Sequence, residues 1–231
     1  MTADEYAGLR RSMIAEIAMH AIYASARIGK AALSRRVMEA METVPRHSFV
    51  PVERQAYAYA NTPLPIGFDK TISQPFIVAL MTDMLDIQPD DTVLEIGTGL
   101  GYQATVAAAL ARKVYSVEMI EQLSREARLR LARLGIRNVE LRIGNGCLGW
   151  AEHAPFDKII VTAAPDLIPP ALLAQLKPGG RMAIPAGLPD AQQLLLVVKD
   201  ADGRVTTKEV LPVRFSRLEG TEDDRPARDA Q

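Results

Sequence analysis

Apolar positions recur with a helical period at the start of the chain and with a strand-like period further on. Residues 4–27 carry apolar side chains at helical spacing, and residues 34–43 form a second helical run that Pro45 ends. Residues 45–75 contain prolines at irregular intervals and little helical period, so we expect an ordered, irregular segment with short extended pieces. The first third of the chain is therefore predicted to be helical and irregular, with Ser34 capping the second helix.

Short β-branched runs alternate with helical segments beyond residue 75, which predicts a mainly parallel sheet with helices on both faces. After Gln192, two apolar runs flank an Asp202-Gly203 turn and predict an antiparallel hairpin that extends to Phe215. Residues 219–231 are charged and poor in apolar side chains, so we expect them to be disordered. The predicted strands cover residues 92–96, 114–117, 139–143, 158–161 and 182–184, and the predicted helices cover residues 102–111, 120–134 and 170–176.

Composition and charge narrow the classes of protein to which the chain can belong. The 231 residues are 48% hydrophobic, and their formal net charge of −1 gives no indication of a nucleic-acid or membrane partner. Cys147 is the single cysteine, so an internal disulfide framework is excluded. The start of the chain has neither the basic nor the apolar region of a secretory signal, and we expect a cytoplasmic protein. His20, His47 and His153 are scattered along the chain, so no metal site is predicted.

The segment with the clearest chemistry is Val93-Leu-Glu-Ile-Gly-Thr-Gly-Leu-Gly-Tyr-Gln, in which a buried strand runs through glycines into a helix. Gly97, Gly99 and Gly101 allow a tight turn and a close approach of the backbone to a ligand. Glu118 ends the next predicted strand, where an acidic side chain can hold the two hydroxyls of a ribose. The G-x-G-x-G spacing departs from the G-x-G-x-x-G of dinucleotide-binding proteins, so a nicotinamide dehydrogenase is disfavoured. The pattern predicts a ribose-bearing cofactor.

Five stretches of the chain carry motifs that occur together in one family of enzymes. The glycine loop with Glu95 resembles the first motif of class I methyltransferases, and Gly101-Tyr102-Gln103 narrows the resemblance. The other stretches are Val44-Pro-Arg-His-Ser-Phe-Val-Pro51, Thr71-Ile-Ser-Gln-Pro75, Phe156-Asp-Lys-Ile-Ile-Val-Thr-Ala-Ala-Pro165 and Leu176-Lys-Pro-Gly-Gly-Arg-Met-Ala-Ile-Pro185. Across residues 33–215, the chain resembles the protein-L-isoaspartate O-methyltransferases, which use S-adenosylmethionine (AdoMet).

The resemblance implies a Rossmann-like class I methyltransferase fold, with a mostly parallel sheet of about seven strands and an antiparallel C-terminal hairpin. Residues 1–75 are then a cap over the carboxyl ends of the strands that contributes the substrate loop. Residues 76–218 are the AdoMet-binding core and residues 219–231 a tail, all in one structural unit. AdoMet is the implied cofactor, and S-adenosylhomocysteine (AdoHcy) is its product. The residues implied to bind the cofactor are Glu95, Gly97, Thr98, Gly99, Gly101, Tyr102, Gln103, Glu118, Met119, Asn145 and Gly146.

Ser73 is singled out for the reaction centre because residues 71–75 resemble the family's substrate loop. A carboxylate is ionised at neutral pH, so methyl transfer requires alignment in a closed site rather than a strong base. The Ser73 hydroxyl is implied to orient the carboxylate through a hydrogen bond worth about 1–3 kcal/mol. A serine that only satisfies its own loop is the structural alternative. The other residues implied to contact the substrate are Thr71, Ile72, Gln74, Thr162, Ala163, Ala164, Pro165 and Phe215.

Two positions depart from the family's pattern. Asn145 stands where the family has the aspartate of Gly-Asp-Gly, and its amide lacks the charge that strengthens a hydrogen bond to adenine, so weaker AdoMet binding is expected. Ser216 and Arg217 stand where the family has Val-Pro; they either alter the choice of peptide or provide a solvated cation that guards an edge strand. Within the first motif, Arg46 is interpreted as a solvated arginine and His47 as a capping or core histidine.

The resemblance implies methylation of the side carboxylate of L-isoaspartyl residues, with D-aspartyl residues as further substrates, and repair through a succinimide. Isoaspartyl-containing proteins and peptides are the implied partners, and the chain is expected to be a monomer without nucleic-acid or membrane partners. Two alternatives stay open. One is methylation of another carboxylate, in a biosynthetic peptide or a small acid. The other is an AdoMet-binding interaction protein without catalysis, against which the intact loop around Ser73 argues.

Overall fold

The computed structural model describes residues 2–220, in which α-helices and β-strands alternate after a helical start. The helices are α1 (Ala3–Tyr23), α2 (Ser25–Ile28), α3 (Arg35–Thr43), α4 (Pro75–Leu85), α5 (Tyr102–Ala108), α6 (Glu121–Arg133) and α7 (Pro170–Gln175). The strands are β1 (Leu64–Gly67), β2 (Lys70–Ile72), β3 (Thr92–Ile96), β4 (Lys113–Glu118), β5 (Val139–Ile143), β6 (Phe156–Val161), β7 (Leu176–Ala186), β8 (Gln193–Lys199) and β9 (Val205–Pro212). Short 3₁₀ helices cover Arg46–Phe49, Val52–Tyr57, Gly146–Leu148 and Ala151–His153.

The predicted parallel sheet with an antiparallel C-terminal hairpin is confirmed. The large sheet has seven strands in the order β5-β4-β3-β6-β7-β8-β9, in which neighbours from β5 to β7 are parallel and the last two pairs are antiparallel. Within this sheet, β3 comes first along the chain, and β4 and β6 flank it on opposite sides, so the strand order reverses between β3 and β6. Such a reversal opens a crevice at the carboxyl ends of the two strands, where open α/β sheets bind ligands.

Side chains of the strands enter two apolar clusters, one on each face of the sheet. In β6, Ile160 belongs to the first cluster, whereas Ile159 and Val161 belong to the second. This is the alternation of a strand that is covered on both faces. Helices α1, α3, α4, α5 and α6 contribute to the first cluster, and α7 with Trp150 contributes to the second. The predicted helices on both faces are therefore confirmed.

The N-terminal helices share the first apolar cluster with the sheet. Met13 of α1 and Met41 of α3 are fully buried, and both helices pack against α4. Lys30 forms an ion pair with the buried Asp83 of α4, and the backbone N–H of Ser34 donates a 2.7 Å hydrogen bond to the same carboxylate. Beyond these helices, the β1–β2 hairpin and the loop after it reach the carboxyl ends of the large sheet.

Helix α4 was missed by the sequence analysis. Almost all of its side chains are buried, so it has no polar face from which a helical period could be recognised. The helix predicted over residues 4–27 is split at Ala24, since α1 ends at Tyr23 and α2 covers Ser25–Ile28, after which Gly29 has a φ of 81°. The predicted cap of α3 is confirmed, because the Ser34 hydroxyl accepts a hydrogen bond from the Val37 N–H.

Strand β9 is shorter than predicted and ends at Pro212. The Gln192 side chain bonds the backbone of Phe215 at both its N–H (2.6 Å) and its carbonyl (3.2 Å), which replaces a strand partner there. The chain then continues as an irregular segment over residues 213–220. Of the predicted disordered tail, residues 221–231 lie outside the described part of the chain.

Candidate active site

A cavity of about 620 Å³ lies at the crevice between β3 and β6. A volume of this order suits a cofactor-sized ligand. Its walls come from distant parts of the chain: the β1–β2 hairpin, the glycine loop after β3, the end of β4 and the segment after β9. The predicted residues that line it are Thr71, Ser73, Gln74, Gly97, Gly99, Glu118, Met119, Gly146, Thr162, Ala163 and Phe215.

The remaining predicted residues lie around this cavity without lining it. A smaller cavity of about 40 Å³, between the glycine loop and the loop of residues 71–75, is lined in part by Ile72, Thr98, Tyr102 and Gln103. The structure therefore brings these four side chains to the junction of the two loops. The predicted residues that line neither cavity are Glu95, Gly101, Asn145, Ala164 and Pro165.

The glycine loop packs against the end of β6 too closely for a side chain. Gly97 has a φ of 92°, and a Cβ atom added to it would overlap the hydroxyl of Thr162. The single proton of that hydroxyl is shared between the carbonyls of Ile96 (3.1 Å) and Gly97 (2.7 Å). Gly101, the N-cap residue of α5, has a φ of 95°, the left-handed conformation that favours glycine. Backbone, rather than side chain, therefore forms this wall of the cavity.

The carboxylate of Glu118 is fixed at the edge of the cavity. Its Oε2 accepts a 2.7 Å hydrogen bond from the Gly99 N–H, and its Oε1 accepts a 2.9 Å hydrogen bond from the Ile120 N–H. Each carboxylate oxygen can accept more than one hydrogen bond, so the group can still receive two hydroxyls. This is the arrangement that a ribose diol requires at the end of the second parallel strand.

A second carboxylate, that of Glu95, is fully buried beneath the glycine loop. The Ser116 hydroxyl donates to Glu95 Oε2, and the hydroxyls of Thr98 and Ser116 lie 2.5 Å apart. Burial raises the pKa of Glu95 to about 8, although the hydrogen bond from Ser116 opposes the rise. These contacts link the glycine loop to β4 through a buried chain of polar groups.

The loop after β5 carries the Asn145 departure. Asn145 Oδ1 accepts a 2.8 Å hydrogen bond from the Cys147 N–H and caps the 3₁₀ helix Gly146–Leu148. Gly146 lines the cavity, and a side chain at that position would overlap Ile96. Cys147 is buried, and its thiol donates to the Gly220 carbonyl at 3.3 Å. The contact of Asn145 with an adenine ring stays a prediction.

Ser73 lies half-buried in the cavity wall, and its hydroxyl has no hydrogen-bond partner within residues 2–220. Its backbone carbonyl accepts a 2.7 Å hydrogen bond from Arg46 Nη2. Arg46 is fully buried, so its interpretation as a solvated arginine was wrong. Its guanidinium is buried because it covers the face of the Tyr102 ring and bonds backbone carbonyls. His47, by contrast, stacks on Tyr6 with ring centroids 3.8 Å apart, as a packing histidine would.

The segment after β9 forms one wall of the cavity by extending the end of β6. The Ala164 N–H donates to the Ser216 carbonyl (2.8 Å), and the Leu218 N–H donates to the Ala164 carbonyl (2.9 Å). Arg217 lies in this wall and pairs with Asp166 at 3.1 Å. Both side chains of that pair are exposed, so the pair contributes little to stability.

Sequence reasoning missed several residues that the structure places in the cavity wall. Ile120 lies two positions after Glu118, and its proximity to the predicted strand end was a usable signal. His20 comes from the end of α1 and Leu218 from the other end of the described chain, and no local pattern connects them with the glycine loop. Lys70 lies beside the predicted substrate loop and forms an ion pair with Glu219.

A switch-point cavity with a glycine loop after β3 and an acid at the end of β4 defines a Rossmann-like domain that is built to hold a ribose-bearing cofactor. Within residues 2–220 there is no cluster of side chains that could hold a metal ion, and no helix is long and apolar enough to cross a membrane. The sequence profile of the Protein-L-isoaspartate(D-aspartate) O-methyltransferase (PCMT) family matches residues 19–223. The chain belongs to this family.

Individual relatives agree with the family match. The chain is 64% identical to Protein-L-isoaspartate O-methyltransferase 1 of Polaromonas sp. over 222 residues, which cover 96% of this chain and 94% of the relative. It is 57% identical to Protein-L-isoaspartate O-methyltransferase 2 of Syntrophobacter fumaroxidans over 218 residues, which cover 94% and 88% of the two chains.

Two solved structures share the fold. One is named a protein-L-isoaspartate O-methyltransferase and superposes with a TM-score of 0.78 at 29% identity; the match covers 91% of this chain and 66% of that one, just under two thirds of its length. The other, from Plasmodium falciparum, was solved in complex with S-adenosyl-L-homocysteine. It has a TM-score of 0.70 at 23% identity, and the match covers 80% of this chain and 91% of that one.

Proposed function

We propose that this chain transfers the methyl group of AdoMet to the side-chain carboxylate of L-isoaspartyl residues in proteins and peptides. Membership of the family and 64% identity over nearly the whole chain support the proposal. The observation that carries it is that the Ser73 hydroxyl and the Glu118 carboxylate line one cavity. An acceptor carboxylate oriented by the first group would lie beside a cofactor held by the second.

The residues around the cavity fit AdoMet. The Glu118 carboxylate, already fixed by two backbone N–H groups, would receive the ribose hydroxyls. The backbone at Gly97 and Gly99 gives the cofactor room, and Gly146 with Met119 would flank it. When bound, AdoMet supplies a methyl group on a sulfonium, and attack by a carboxylate oxygen gives a methyl ester and AdoHcy. The residues proposed to support the cofactor site from its surroundings are Glu95, Thr98, Gly101, Tyr102, Gln103 and Asn145.

The acceptor carboxylate would be held by the opposite wall of the cavity. Ser73 donates a hydrogen bond that orients it, since the serine hydroxyl is not used by the loop itself. Thr162 and Ala163 are small enough to leave space for the peptide backbone. The carboxylate arrives ionised, so the site needs no group to remove a proton. The other residues proposed to shape this wall are Thr71, Ile72, Gln74, Ala164, Pro165 and Phe215.

Methylation starts repair because an ester is a better electrophile than a carboxylate. The backbone amide nitrogen that follows the damaged residue attacks the ester carbonyl and expels methanol, which leaves a succinimide. Hydrolysis of the succinimide then returns part of the material to normal aspartate. Isoaspartyl-containing proteins are the partners in this proposal, and a monomeric, cytoplasmic protein with D-aspartyl residues as further substrates stays the expectation.

Transfer of labelled methyl groups to synthetic peptides tests the proposal. Three peptides of one sequence would carry L-isoaspartate, L-aspartate or D-aspartate at the same position. We expect transfer to the L-isoaspartyl peptide and none to the L-aspartyl peptide. Transfer to neither, with AdoMet binding intact by calorimetry, would contradict the proposal. It would favour another carboxylate as the acceptor, or an AdoMet-binding protein without this catalysis.

A further inference from the structure

Arg46 is the one fully buried charged side chain among residues 2–220 whose charge lies beside both loops of the cavity. From the 3₁₀ helix Arg46–Phe49, its Nε donates to the Ala58 carbonyl (2.8 Å) and its Nη2 to the Ser73 carbonyl (2.7 Å). Its guanidinium carbon lies 4.8 Å from the centre of the Tyr102 ring. A single side chain therefore contacts the substrate loop and the first residue of the helix that follows the glycine loop.

This cation is held without a carboxylate partner in the described chain. A buried charge costs free energy unless hydrogen bonds or an aromatic face stabilise it. Here the carbonyls of Ala58 and Ser73 and the face of the Tyr102 ring stabilise the guanidinium. Its Nη1 has no hydrogen-bond partner within residues 2–220. Burial lowers the pKa of Arg46 to about 10, which leaves the group cationic at neutral pH. A leucine or methionine would fill the same space more cheaply, so packing alone does not account for an arginine here.

We infer that Arg46 is a positioning residue that sets the substrate loop at Ser73 relative to the glycine loop, which leads into α5 at Tyr102. The inference rests on the proposed methyl transfer and deepens it. An in-line displacement requires the acceptor oxygen, the methyl carbon and the sulfur in one line, with the two reactants held by different loops. Arg46 touches no reacting atom, but its planar guanidinium bonds the Ser73 carbonyl through its edge and covers the Tyr102 ring with its face, so that one side chain holds both positions.

The test compares Arg46→Met and Arg46→Lys with the matched control Lys199→Met. Lys199 Nζ also bonds two backbone carbonyls, those of Leu173 (3.0 Å) and Leu176 (2.8 Å), but it does so away from the cavity. Turnover of an isoaspartyl peptide would be expressed per AdoMet-binding site, counted by calorimetry, so that unfolded protein does not enter the rate. Hydrogen exchange of the amides in residues 71–75 would be followed in the same samples.

We expect kcat to fall on the order of 100-fold in Arg46→Met, because small misplacements of reactants cost about that much. Arg46→Lys keeps the charge but not the planar fork of the guanidinium, and its kcat should fall roughly 10-fold. The affinity for AdoMet should stay unchanged in both, and Lys199→Met should keep the kcat of the unaltered chain. Exchange in residues 71–75 should become faster in the Arg46 variants alone.

An unaltered kcat per site in both Arg46 variants would overturn the inference, whether or not AdoMet binding is weaker. If Arg46→Met does not fold, Arg46→Lys decides by the same measurements. If the unaltered chain does not methylate the isoaspartyl peptide, the proposed function fails separately. The inference is then decided by hydrogen exchange, and equal exchange in residues 71–75 of all variants would contradict it.

Discussion

The two walls of the cavity are built in different ways. The cofactor wall, consisting of residues 97–101 and Glu118, lies at the ends of adjacent parallel strands and is held by buried hydrogen bonds. The substrate wall, consisting of residues 71–75 and 213–219, combines segments that are far apart in the chain. It is held in part by exposed ion pairs, Lys70 with Glu219 and Arg217 with Asp166.

The difference indicates which wall tolerates change. Buried hydrogen bonds in the cofactor wall leave little room for substitution, since each polar group that loses its partner costs free energy. Exposed ion pairs contribute little, so the substrate wall can vary without loss of the fold. Ser216 and Arg217, one of the two departures from the family's pattern, lie in the substrate wall. Arg46 then links the substrate wall to the cofactor wall.

Gly97→Ala should break the cofactor wall and have the largest effect. The new Cβ would overlap the Thr162 hydroxyl at a left-handed φ of 92°, so the loop must move away from β6. We expect AdoMet affinity to fall by at least about 100-fold in calorimetry, the loss of roughly 3 kcal/mol. Gly203→Ala is the control, because its φ of 83° gives similar strain while nothing lies within 4 Å. Equal AdoMet binding by both variants would contradict the close packing of the loop.

Glu95→Gln should change how stability depends on pH. The folded chain holds a proton on Glu95 up to about pH 8, whereas the unfolded chain releases it near the ordinary value of 4.5. The folded state therefore binds more protons between these values, and the free energy of unfolding falls as pH rises through that window. Glu95→Gln should remove a slope of at most about 1.4 kcal/mol per pH unit.

Urea denaturation of the AdoMet-free protein at pH 5, 6, 7 and 8 measures this slope. Glu126→Gln on the exposed side of α6 serves as the control and should keep the slope of the unaltered chain. The same slope in Glu95→Gln as in the unaltered chain would show that Glu95 is not protonated in the folded state.

Asn145→Asp should have the smallest effect of these variants, a modest change in AdoMet affinity beside the cofactor wall. A carboxylate can still cap the 3₁₀ helix Gly146–Leu148, so the loop is expected to keep its shape. If Asn145 meets the adenine amino group, the added charge should tighten AdoMet binding by roughly 3-fold to 10-fold. Calorimetry that shows an unchanged or weaker affinity would exclude this contact.

The cofactor wall could be predicted from the sequence because its parts are local. The glycines and Glu118 follow two recognisable strands, and the parallel pairing of those strands places them side by side. The burial of Arg46 could not be predicted, since its partners Ala58, Ser73 and Tyr102 are brought to it by the tertiary fold. Helix α4 was missed for a related reason, because a fully buried helix shows no amphipathic period.

The contacts of residues 213–220, the segment after β9, could not be predicted from local sequence patterns either. The sequence identified Ser216 and Arg217 as unusual, but an edge-strand cation was one of two interpretations. The structure pairs this segment with Ala164 at the end of β6, next to the cavity and away from the outer strand β9. Pairing across more than 50 positions depends on the whole sheet, which a short window of sequence does not contain.

One experiment tests most directly whether the cavity brings the cofactor wall and the substrate wall together. AdoMet affinity by calorimetry and the single-turnover rate of methyl transfer to an isoaspartyl peptide would be measured for Glu118→Gln and Ser73→Ala. Glu118→Gln should weaken AdoMet binding by about 10-fold or more, because a charged acceptor is lost. Ser73→Ala should leave AdoMet binding unchanged and slow transfer by about 5-fold to 150-fold. Weaker AdoMet binding in Ser73→Ala without slower transfer at saturation, or unaltered AdoMet binding in Glu118→Gln, would contradict the division of the cavity into these two walls.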